Sequence, residues 1–351
     1  MARVTLQTIA DRVGVSRMTV SNAFSRPDQL SAGLRDRILA AAGELGYVGP
    51  DPSARALARG TTGAVGIVLT DSLRYAFTDL VATQFLGAIA EELGPTGLAL
   101  TLLSATGNQD VVPARDVAMD GALVYSCDPT SPAVDLLTRR GLPLVYIDQT
   151  PVDGVPSVNV ADRAGARAAA EHLLALGHRR IGLLMSGPHG PHGPAEAAPR
   201  PTDGYASRQR LAGWLDALRP AGAEVVVVRV RDAGFAEVGA GARLLLERPD
   251  RPTAVLCFSD VVALGVVETA RDLGLSVPGD LSVAGFDDSP AARRFRPALT
   301  TVRQDVEEKG RAAAAALIAA IRARATGRPV PAGHLLLPTE LIVRESTRPA
   351  P

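Results

Sequence analysis

The stretch "TIADRVGVSRMTVSNAFS", residues 8–25, decides how the N-terminal part of this chain folds. Apolar side chains just before and within it follow the i, i+3, i+4, i+7 spacing of one helix face, at Leu6, Ile9, Ala10 and Val13. Gly14 ends this helix, because glycine tolerates the positive φ that a helix end requires. The spacing therefore predicts a short amphipathic helix followed by a tight turn.

Two more helices complete the segment. Ser16 is placed to cap a second helix that runs to about Phe24. A third amphipathic helix over residues 31–45 ends at Gly46 and adds apolar side chains to the same core. Two short helices joined by a tight glycine turn and braced by a third predict a helix-turn-helix.

In a helix-turn-helix, the second helix enters the DNA major groove with its N-terminal residues at base edges. The outward side chains suit this role, since Arg17 can fork onto guanine, Asn22 can pair with adenine, and Met18 can contact a thymine methyl group. Side chains placed for phosphate contacts, which set register without reading sequence, are Thr5, Ser16, Thr19, Ser21 and Tyr47. The alternative is a three-helix bundle whose polar face is only solvated.

The next segment, "PDPSARALARGTTG" at residues 50–63, predicts one or two helical turns capped by Asp51 or Ser53. A helix this short is unstable alone in water, so we expect a hinge that orders on a partner. Leu57 has no core to enter and lies between arginines, as a minor-groove wedge would, and Ala54 shares the proposed DNA surface. The alternative is a flexible linker.

Charge is unevenly distributed along the chain. The formal net charge is zero, yet residues 1–60 hold eight arginines against five acidic residues. A basic head on an acidic body fits a nucleic-acid partner at one end of the protein.

From Ala64 onward, short apolar runs alternate with amphipathic helices in two successive series. Such repeats predict parallel sheets flanked by helices and arranged in two lobes. Ligands of such folds bind at the carboxyl ends of the strands. The predicted domains are a head over 1–48, a hinge over 49–62, and an effector domain over 63–351, with a first lobe of 63–160 and 290–322 and a second of 161–289 and 323–345. One strand is predicted over "HLLLPTELIVRE", residues 334–345.

Polar residues that follow predicted strands are the candidates for ligand contact. Carboxylates accept hydrogen bonds from hydroxyl groups, and an arginine fork donates to oxygens. The candidates are Tyr75, Asp79, Ser126, Asp148, Arg210, Ser259 and Asp287, with Phe235 placed to stack on a ring. Asp260 is open to two interpretations, helix capping or ligand contact, and Asp288 is interpreted as structural.

These motifs together resemble the LacI/GalR family of bacterial transcription regulators. The resemblance runs from residue 3 to about residue 345 and rests on "VTLQTIADRVGVSRMTVSNAF", "LGYVGPDPSARALA", "ALGHRRIGLL" (175–184), "SRQRLAGW" (207–214) and "LTTVRQDVEEKG" (299–310). It implies an all-α head on a two-lobed effector domain similar to periplasmic sugar-binding proteins. It also implies a homodimeric repressor of a palindromic double-stranded DNA operator, controlled by a sugar or nucleoside-like molecule. The family's hinge leucine falls on Leu57, and its specificity positions fall on Arg17, Met18 and Asn22.

Two departures from the family pattern concern the effector. Ser259 stands where the family often has Asn, and the loop over residues 186–205 is long and rich in Pro and Gly. His189 and His192 in this loop suggest a metal site, but two histidines without a nearby cysteine favour a disordered loop at the crevice rim.

Other functional classes fit less well. The sequence contains no P-loop, no G-x-S-x-G elbow and no H-E-x-x-H motif, so neither an enzyme nor a metal or other cofactor is expected. Cys127 and Cys257 are expected to be buried thiols. No apolar run reaches membrane-spanning length and no export signal is recognised, which predicts a cytoplasmic protein without a membrane partner. The competing hypothesis is a two-lobed sugar-binding protein with no DNA role.

Overall fold

The computed structural model describes residues 4–49, 51–69, 73–105, 112–126, 131–187, 191–200, 203–330 and 332–351. The chain divides into two compact units, Met1–Gly63 and Ala64–Pro351. This boundary lies one residue after the predicted end of the hinge. Each unit is described separately below.

The first unit is helical. Its helices are α1 (Leu6–Val13), α2 (Arg17–Ser25), α3 (Ala32–Glu44) and α4 (Pro52–Arg59). Gly14 adopts a left-handed conformation with φ of 76° at the end of α1, as its position predicted. Ile9, Val20 and Ile38 are fully buried where the first three helices meet. The predicted helix-turn-helix is therefore confirmed.

The second unit alternates strands and helices. The strands are β1 (Ala64–Leu69), β2 (Ala99–Ser104), β3 (Ala122–Tyr125), β4 (Leu144–Ile147), β5 (Ser157–Val160), β6 (Arg180–Ser186), β7 (Gly193–Ala195), β8 (Glu224–Val230), β9 (Ala254–Cys257), β10 (Ser282–Ala284), β11 (Thr301–Gln304), β12 (His334–Leu337) and β13 (Thr339–Ile342). The helices are α5 (Tyr75–Thr78), α6 (Leu80–Leu93), α7 (Pro113–Asp116), α8 (Pro132–Arg139), α9 (Asp162–Ala175), α10 (Tyr205–Leu218), α11 (Phe235–Leu246), α12 (Asp260–Asp272), α13 (Pro290–Arg294) and α14 (Val306–Ala325).

The first lobe is built on a parallel sheet in the order β12-β5-β4-β3-β1-β2. Helices α6 and α14 cover one face, where Phe85 and Leu317 lie in the core. Helices α7 and α8 cover the other face around Leu137. Burial of both faces explains why these strands read as continuous apolar runs.

The second lobe is built on a sheet in the order β10-β9-β6-β8-β7, in which only β7 runs antiparallel to its neighbour among the described strands. Helices α9 and α10 pack on one face around Trp214, and α11 and α12 pack on the other around Val266. Strands β11 and β13 form a separate antiparallel pair beside α9.

The structure divides the lobes differently from the sequence prediction. Residues 290–299 belong to the second lobe, because Ala292 and Leu299 lie in its core. The single strand predicted over 334–345 is wrong, since β12 pairs with β5 in the first lobe whereas β13 pairs with β11. Pro338 separates the two strands and has no N–H group with which to continue the ladder.

Residues 191–200, which belong to the loop predicted over residues 186–205, are more ordered than predicted. Residues 193–195 form β7, which supplies hydrogen-bond partners to the edge of β8. His192 lies within 3.1 Å of the carbonyl oxygen of Gly187 through Nε2, and His189 lies outside the described residues. In the described ranges no group of three or more His, Cys, Asp or Glu side chains is arranged to hold a metal.

The contact between α9 and α10 depends on a glycine. A Cβ atom on Gly213 would lie 2.2 Å from the carbonyl oxygen of Arg163, so the two helix backbones can approach closely only without it. We expect Gly213→Ala to lower the free energy of unfolding by about 1–3 kcal/mol, as overpacking does. Urea denaturation of the full chain measures this change.

Gly87→Ala is the matched control, because nothing lies within 4 Å of a Cβ atom at this exposed helical position in α6. That variant should be unchanged or up to about 1 kcal/mol more stable. Equal effects of the two substitutions would contradict the close-packing explanation.

Candidate functional site

The head presents a polar surface on α2. Ser16 caps this helix, since its side chain accepts a hydrogen bond of 3.0 Å from the backbone N–H of Thr19. Thr5 caps α1 in the same way through Thr8. Arg17 is exposed, and the side chain of Met18 is 69% exposed although methionine is apolar. The packed core therefore holds the N-terminal turn of α2 open to a partner.

The remaining predicted DNA contacts lie on or beside this surface. Asn22 is half-buried and donates a hydrogen bond of 3.2 Å to Gln29, and Ser21 accepts one at its carbonyl oxygen from the Ser25 hydroxyl. Tyr47 packs edge-to-face on Phe24, with ring centroids 5.6 Å apart. Tyr47 is thus also part of the head's core, a second role that the sequence analysis did not assign.

Helix α4 occupies the predicted hinge. Asp51 caps it by accepting a hydrogen bond from the N–H of Ala54. The side chain of Leu57 is 87% exposed, as expected for a residue without a core to enter. A short helix with an exposed apolar side chain lacks the packing that normally stabilises helices, so its dependence on a partner remains a prediction.

The second unit contains a crevice between its lobes with a volume of about 900 Å³. It opens at the carboxyl ends of the parallel strands, where the sequence analysis expected it. The predicted residues that line it are Asp79, Ser126, Asp148, Arg210, Ser259 and Asp287. Phe235 is 64% exposed and is not among the lining residues, and the side chain of Tyr75 lies outside the described part of the structure.

Backbone strain is concentrated at this crevice. Among the described residues, the non-glycine positions with positive φ are Ser126 (53°), Asp148 (51°), Asp287 (119°) and Asp288 (55°). Three of the four line the crevice. Such conformations persist where the surrounding structure enforces them, and they are enriched at binding sites.

Arg210 is held firmly at the back of the crevice. Its Nε donates a hydrogen bond of 2.8 Å to Asp162, and its Nη1 donates one of 2.6 Å to the carbonyl oxygen of Phe258. The guanidinium lies 3.6 Å from the ring centroid of Phe286 and 4.7 Å from that of Phe258. The Arg210 guanidinium, which was predicted to contact a ligand, therefore already uses hydrogen-bond donors on Nε and Nη1 to bind protein oxygens.

Lys309, the only lysine of the chain, is a crevice residue that sequence reasoning missed. It is 1% exposed, and its Nζ donates hydrogen bonds of 2.8 Å to Asp148 and 3.1 Å to Gln304. Oδ1 of Asp148 remains buried without a hydrogen-bond partner. The unpaired oxygen is an acceptor that a ligand hydroxyl could satisfy.

Asp287 is the most perturbed acid of the crevice. Burial raises its pKa to about 8, even though Arg210 lies 3.6 Å away and Gln304 donates a hydrogen bond of 2.7 Å to it. Arg210 cannot offset the burial because it is already paired with Asp162, whose pKa is also raised by burial. The raised pKa favours the protonated carboxyl group, which can donate as well as accept a hydrogen bond.

The two neighbouring aspartates are structural. Asp260 accepts hydrogen bonds from the Thr301 hydroxyl and the Ser289 N–H, and it neither caps α12, which Ser259 does, nor lines the crevice. Both interpretations offered for Asp260 are thus wrong, because long-range partners that local spacing does not encode take up its carboxylate. Asp288 forms ion pairs with three arginines, which confirms its structural interpretation: Arg293, Arg303 and Arg344.

Comparisons with known proteins match both units of the chain. A model of the lacI family of bacterial regulatory proteins matches residues 5–50, and a model of a periplasmic binding protein-like domain matches residues 170–347. An HTH-type transcriptional regulator of Mycolicibacterium smegmatis is 40% identical over 327 residues, which cover 89% of each chain. The chain belongs to the lacI family.

Two solved structures extend the similarity over nearly the whole of this lacI-family regulator. The CelR–cellobiose complex is 30% identical with a TM-score of 0.69, and it covers 98% of this chain and 100% of its own. The lac repressor dimer bound to operator and the anti-inducer ONPF is 26% identical with a TM-score of 0.77, and it covers 99% of this chain and 100% of its own.

Family membership confirms the predicted class of function. The protein is a ligand-responsive, DNA-binding transcription regulator with a helix-turn-helix head and a two-lobed effector domain. The competing hypothesis of a sugar-binding protein without a DNA role is not supported, because the lacI-family match lies on the head itself. No helix in the described ranges is long and apolar enough to cross a membrane.

The raised pKa of Asp287 predicts how the stability of this regulator depends on pH. Unfolded, the carboxyl group loses its proton above about pH 4, whereas folded Asp287 keeps it up to about pH 8. The folded state binds more protons between these values, so the stabilising contribution falls as pH rises through this range and is lost above it. Between about pH 5 and pH 9, the melting temperature should therefore fall more steeply for the wild type than for Asp287→Asn. Thermal unfolding at each pH measures this difference.

Asp280→Asn is the control. Ser276 hydrogen-bonds to this exposed carboxylate and lowers its pKa, so its titration lies below the range tested. That variant should keep the wild-type slope, and parallel curves for the wild type and Asp287→Asn would contradict the assignment.

Proposed function

We propose that this regulator is a homodimeric repressor that acts in the cytoplasm on a palindromic operator and is controlled by a small molecule bound in the crevice. The observation that carries the proposal is the N-terminal turn of α2, where a capped helix on a rigid core holds Arg17 and Met18 exposed. Met18 offers an apolar surface for a thymine methyl group beside the Arg17 guanidinium, which can bind guanine.

The proposed DNA contacts divide into two groups. Arg17, Met18 and Asn22 read base edges in the major groove. The hydroxyl-bearing side chains and Tyr47 bind phosphates and set the register of the helix. The cap hydroxyls of Thr5 and Ser16 also hydrogen-bond to the hydroxyls of Thr8 and Thr19, at 3.1 and 2.8 Å. One hydroxyl hydrogen of each pair is used in that bond, and the other can reach a phosphate oxygen.

Helix α4 adds minor-groove contacts. In a dimer, two copies of the hinge would lie together and insert their Leu57 side chains between base steps, with Ala54 on the same surface. This use explains why Leu57 is exposed on a helix that Asp51 caps. The solved lac repressor dimer bound to operator supports the dimeric arrangement.

The effector is proposed to bind the crevice through its hydroxyl groups. Asp148 offers an unpaired carboxylate oxygen, and Asp287 offers a protonated carboxyl group. Arg210, Ser259, Ser126 and Asp79 add further polar atoms, and Tyr75 and Phe235 remain proposed contacts at the rim. A carbohydrate or a related polyol fits these donors and acceptors, and the cellobiose complex of CelR supports that class.

Ligand binding can alter the relation of the two lobes because polar contacts connect them. Lys309 in the first lobe bonds to Gln304, and Gln304 bonds to Asp287 in the second lobe. A ligand that alters this connection changes the angle between the lobes, and an inducer must then bind the DNA-incompetent form more tightly. We propose no enzymatic role, and the description of relatives of this chain as transcriptional regulators supports this.

Selection of bound duplexes from a random library tests the proposal. Full-length protein at moderate salt should enrich a two-fold symmetric motif, because a dimer places two α2 helices on equivalent half-sites. Salt must be fixed, since it sets the non-specific background. No enrichment, with and without pooled metabolites, would reject the proposed function.

The same selection tests whether Arg17 contacts a base edge in the major groove. Arg17→Ala should weaken binding by about 5- to 150-fold and relax the preference at one position in each half-site, which is the loss of one bidentate pair. Arg26→Ala is the matched control, since Arg26 is exposed at the C-terminal end of α2 and carries the same charge. Its loss should lower affinity evenly without changing the motif.

Leu57→Ala tests the hinge. It should weaken operator binding by about tenfold or more while leaving effector affinity unchanged, because the side chain contributes nothing to a core in the free chain. Operator binding measured by fluorescence anisotropy and the thermal stability of the variant together check this. A parallel loss of stability would instead indicate a folding role for Leu57.

A further inference from the structure

Lys309 occupies a position at which folding alone disfavours a charged side chain. It lies in the first turn of α14, where a positive charge opposes the helix dipole. It is 1% exposed, and burying an ammonium group is costly unless the group is paired. The chain uses arginine at every other position that holds a lysine or an arginine, so a general use of lysine does not explain this residue. Positions that break local rules in this way occur at functional sites.

Close packing of α14 against α6 fixes the place of Lys309. A Cβ atom on the next residue, Gly310, would lie 2.8 Å from both Cβ of Ala88 and the carbonyl oxygen of Phe85, so the two helices approach closely there. The rings of Phe85 and Tyr125 stack with centroids 4.7 Å apart. Nζ of Lys309 lies 5.8 and 5.7 Å from these two centroids, within the range of cation–π attraction. The ammonium group is therefore positioned before a ligand arrives.

This ammonium group has one more hydrogen-bond donor than the protein uses. A lysine ammonium carries three N–H groups around one compact centre, unlike the planar guanidinium of arginine. Asp148 and Gln304 accept two of the three, at 2.8 and 3.1 Å. Within the described ranges no third acceptor hydrogen-bonds to Nζ. Because Lys309 lines the crevice, the remaining donor is available to a ligand oxygen there.

Asp148 supplies the matching acceptor. Its Oδ2 accepts the bond from Lys309, whereas its Oδ1 is buried without a hydrogen-bond partner. Asp148 is 6% exposed, lines the crevice and is held at a φ of 51°. Oδ1 and Oδ2 belong to one carboxylate, so the unused acceptor lies next to the ammonium group that carries the unused donor.

Apolar side chains of the same lobe lie beside this pair. Leu69, Val81 and Tyr125 line the crevice and belong, like Asp148 and Lys309, to the first lobe. Pockets for small molecules combine such apolar walls with a few placed polar groups. The combination suits a ring that presents hydroxyl groups at its edge and C–H groups on its face.

We propose that Lys309 and Asp148 form a recognition pair for two hydroxyl groups on adjacent carbon atoms. Lys309 is then a specificity-determining residue, and the effector is a ring that carries a vicinal diol. One hydroxyl group donates to Oδ1 of Asp148, and its neighbour accepts from Nζ of Lys309. The ring packs against the apolar wall. The recognition pair rests on the proposed function and deepens it, since it names the effector class of the same crevice.

Three small alcohols test the recognition pair directly. The hydroxyl groups are adjacent in cis-cyclohexane-1,2-diol and far apart in cis-cyclohexane-1,4-diol, and cyclohexanol has one hydroxyl group. Ligand-observed NMR with the full-length protein measures their dissociation constants. The 1,2-diol should bind about tenfold more tightly than the other two, since each of these loses one hydrogen bond to a charged group. Equal affinities, or no binding of the 1,2-diol, would overturn the proposal.

A variant of Lys309 locates the preference. Lys309→Met keeps an unbranched side chain and removes the donor, so the variant should bind the two diols with nearly equal affinity. Arg231→Gln is the matched control, because Arg231 lines the same crevice, is exposed and loses the same charge on substitution. That variant should keep the preference of the wild type. An unchanged preference in Lys309→Met would reject the recognition pair.

Asp148→Asn tests the acceptor without removing the lysine. The amide oxygen can still accept from Nζ of Lys309, whereas the amide nitrogen offers N–H groups where Oδ1 accepted. This variant should also lose the preference for the 1,2-diol. It decides the matter where the melting temperature shows that Lys309→Met is unfolded. An unchanged preference in Asp148→Asn would place the diol elsewhere in the protein.

The outcome is separate from the test of the proposed function, because diol binding is measured without DNA. A symmetric operator motif without a preference for the 1,2-diol would reject the recognition pair alone. A clear preference without any enriched duplex would reject the operator proposal and leave the recognition pair standing.

Discussion

The effector domain depends on a buried chain of hydrogen-bonded and ion-paired groups at the bottom of its crevice. Asp148 pairs with Lys309, Lys309 reaches Asp287 through Gln304, and Asp287 lies beside Arg210, which pairs with Asp162. Each charge is costly to bury alone and is tolerable only because the next one accompanies it. The chain runs from the first lobe to the second. A change in the relative position of the lobes therefore also changes the ionisation of the crevice residues.

This network explains why the crevice can respond to a ligand. Its carboxyl groups outnumber the cations that hold them, one oxygen of Asp148 has no hydrogen-bond partner, and burial raises the pKa of Asp287. A ligand that donates a hydrogen bond to Asp148 and accepts one from Asp287 removes the free-energy cost of burying these groups unsatisfied. The strained backbone at Ser126, Asp148 and Asp287 shows that the fold holds these groups in place before any ligand arrives.

The head and the crevice follow opposite designs. The head is a small apolar core around Ile9, Val20 and Ile38 that keeps its functional side chains outside. The crevice keeps its functional side chains buried and paired. The first design suits a surface that must meet DNA phosphates in water, and the second suits selection of a small polar molecule, where unpaired buried groups discriminate strongly.

The sequence by itself determined the head and most of the order of strands and helices in the body, but neither β7 nor the division of residues 334–345 into two strands. Helix caps at Thr5 and Ser16, the turn at Gly14 and the exposure of Leu57 depend on neighbours within four residues, and local patterns encode such contacts. Only the tertiary structure decided what the crevice residues do. Lys309 meets Asp148 across 161 positions and Arg210 meets Asp162 across 48, and no local period reports such pairings. The break at Pro338, which sends β12 and β13 to different sheets, was likewise settled by which strand edges were available for hydrogen bonding.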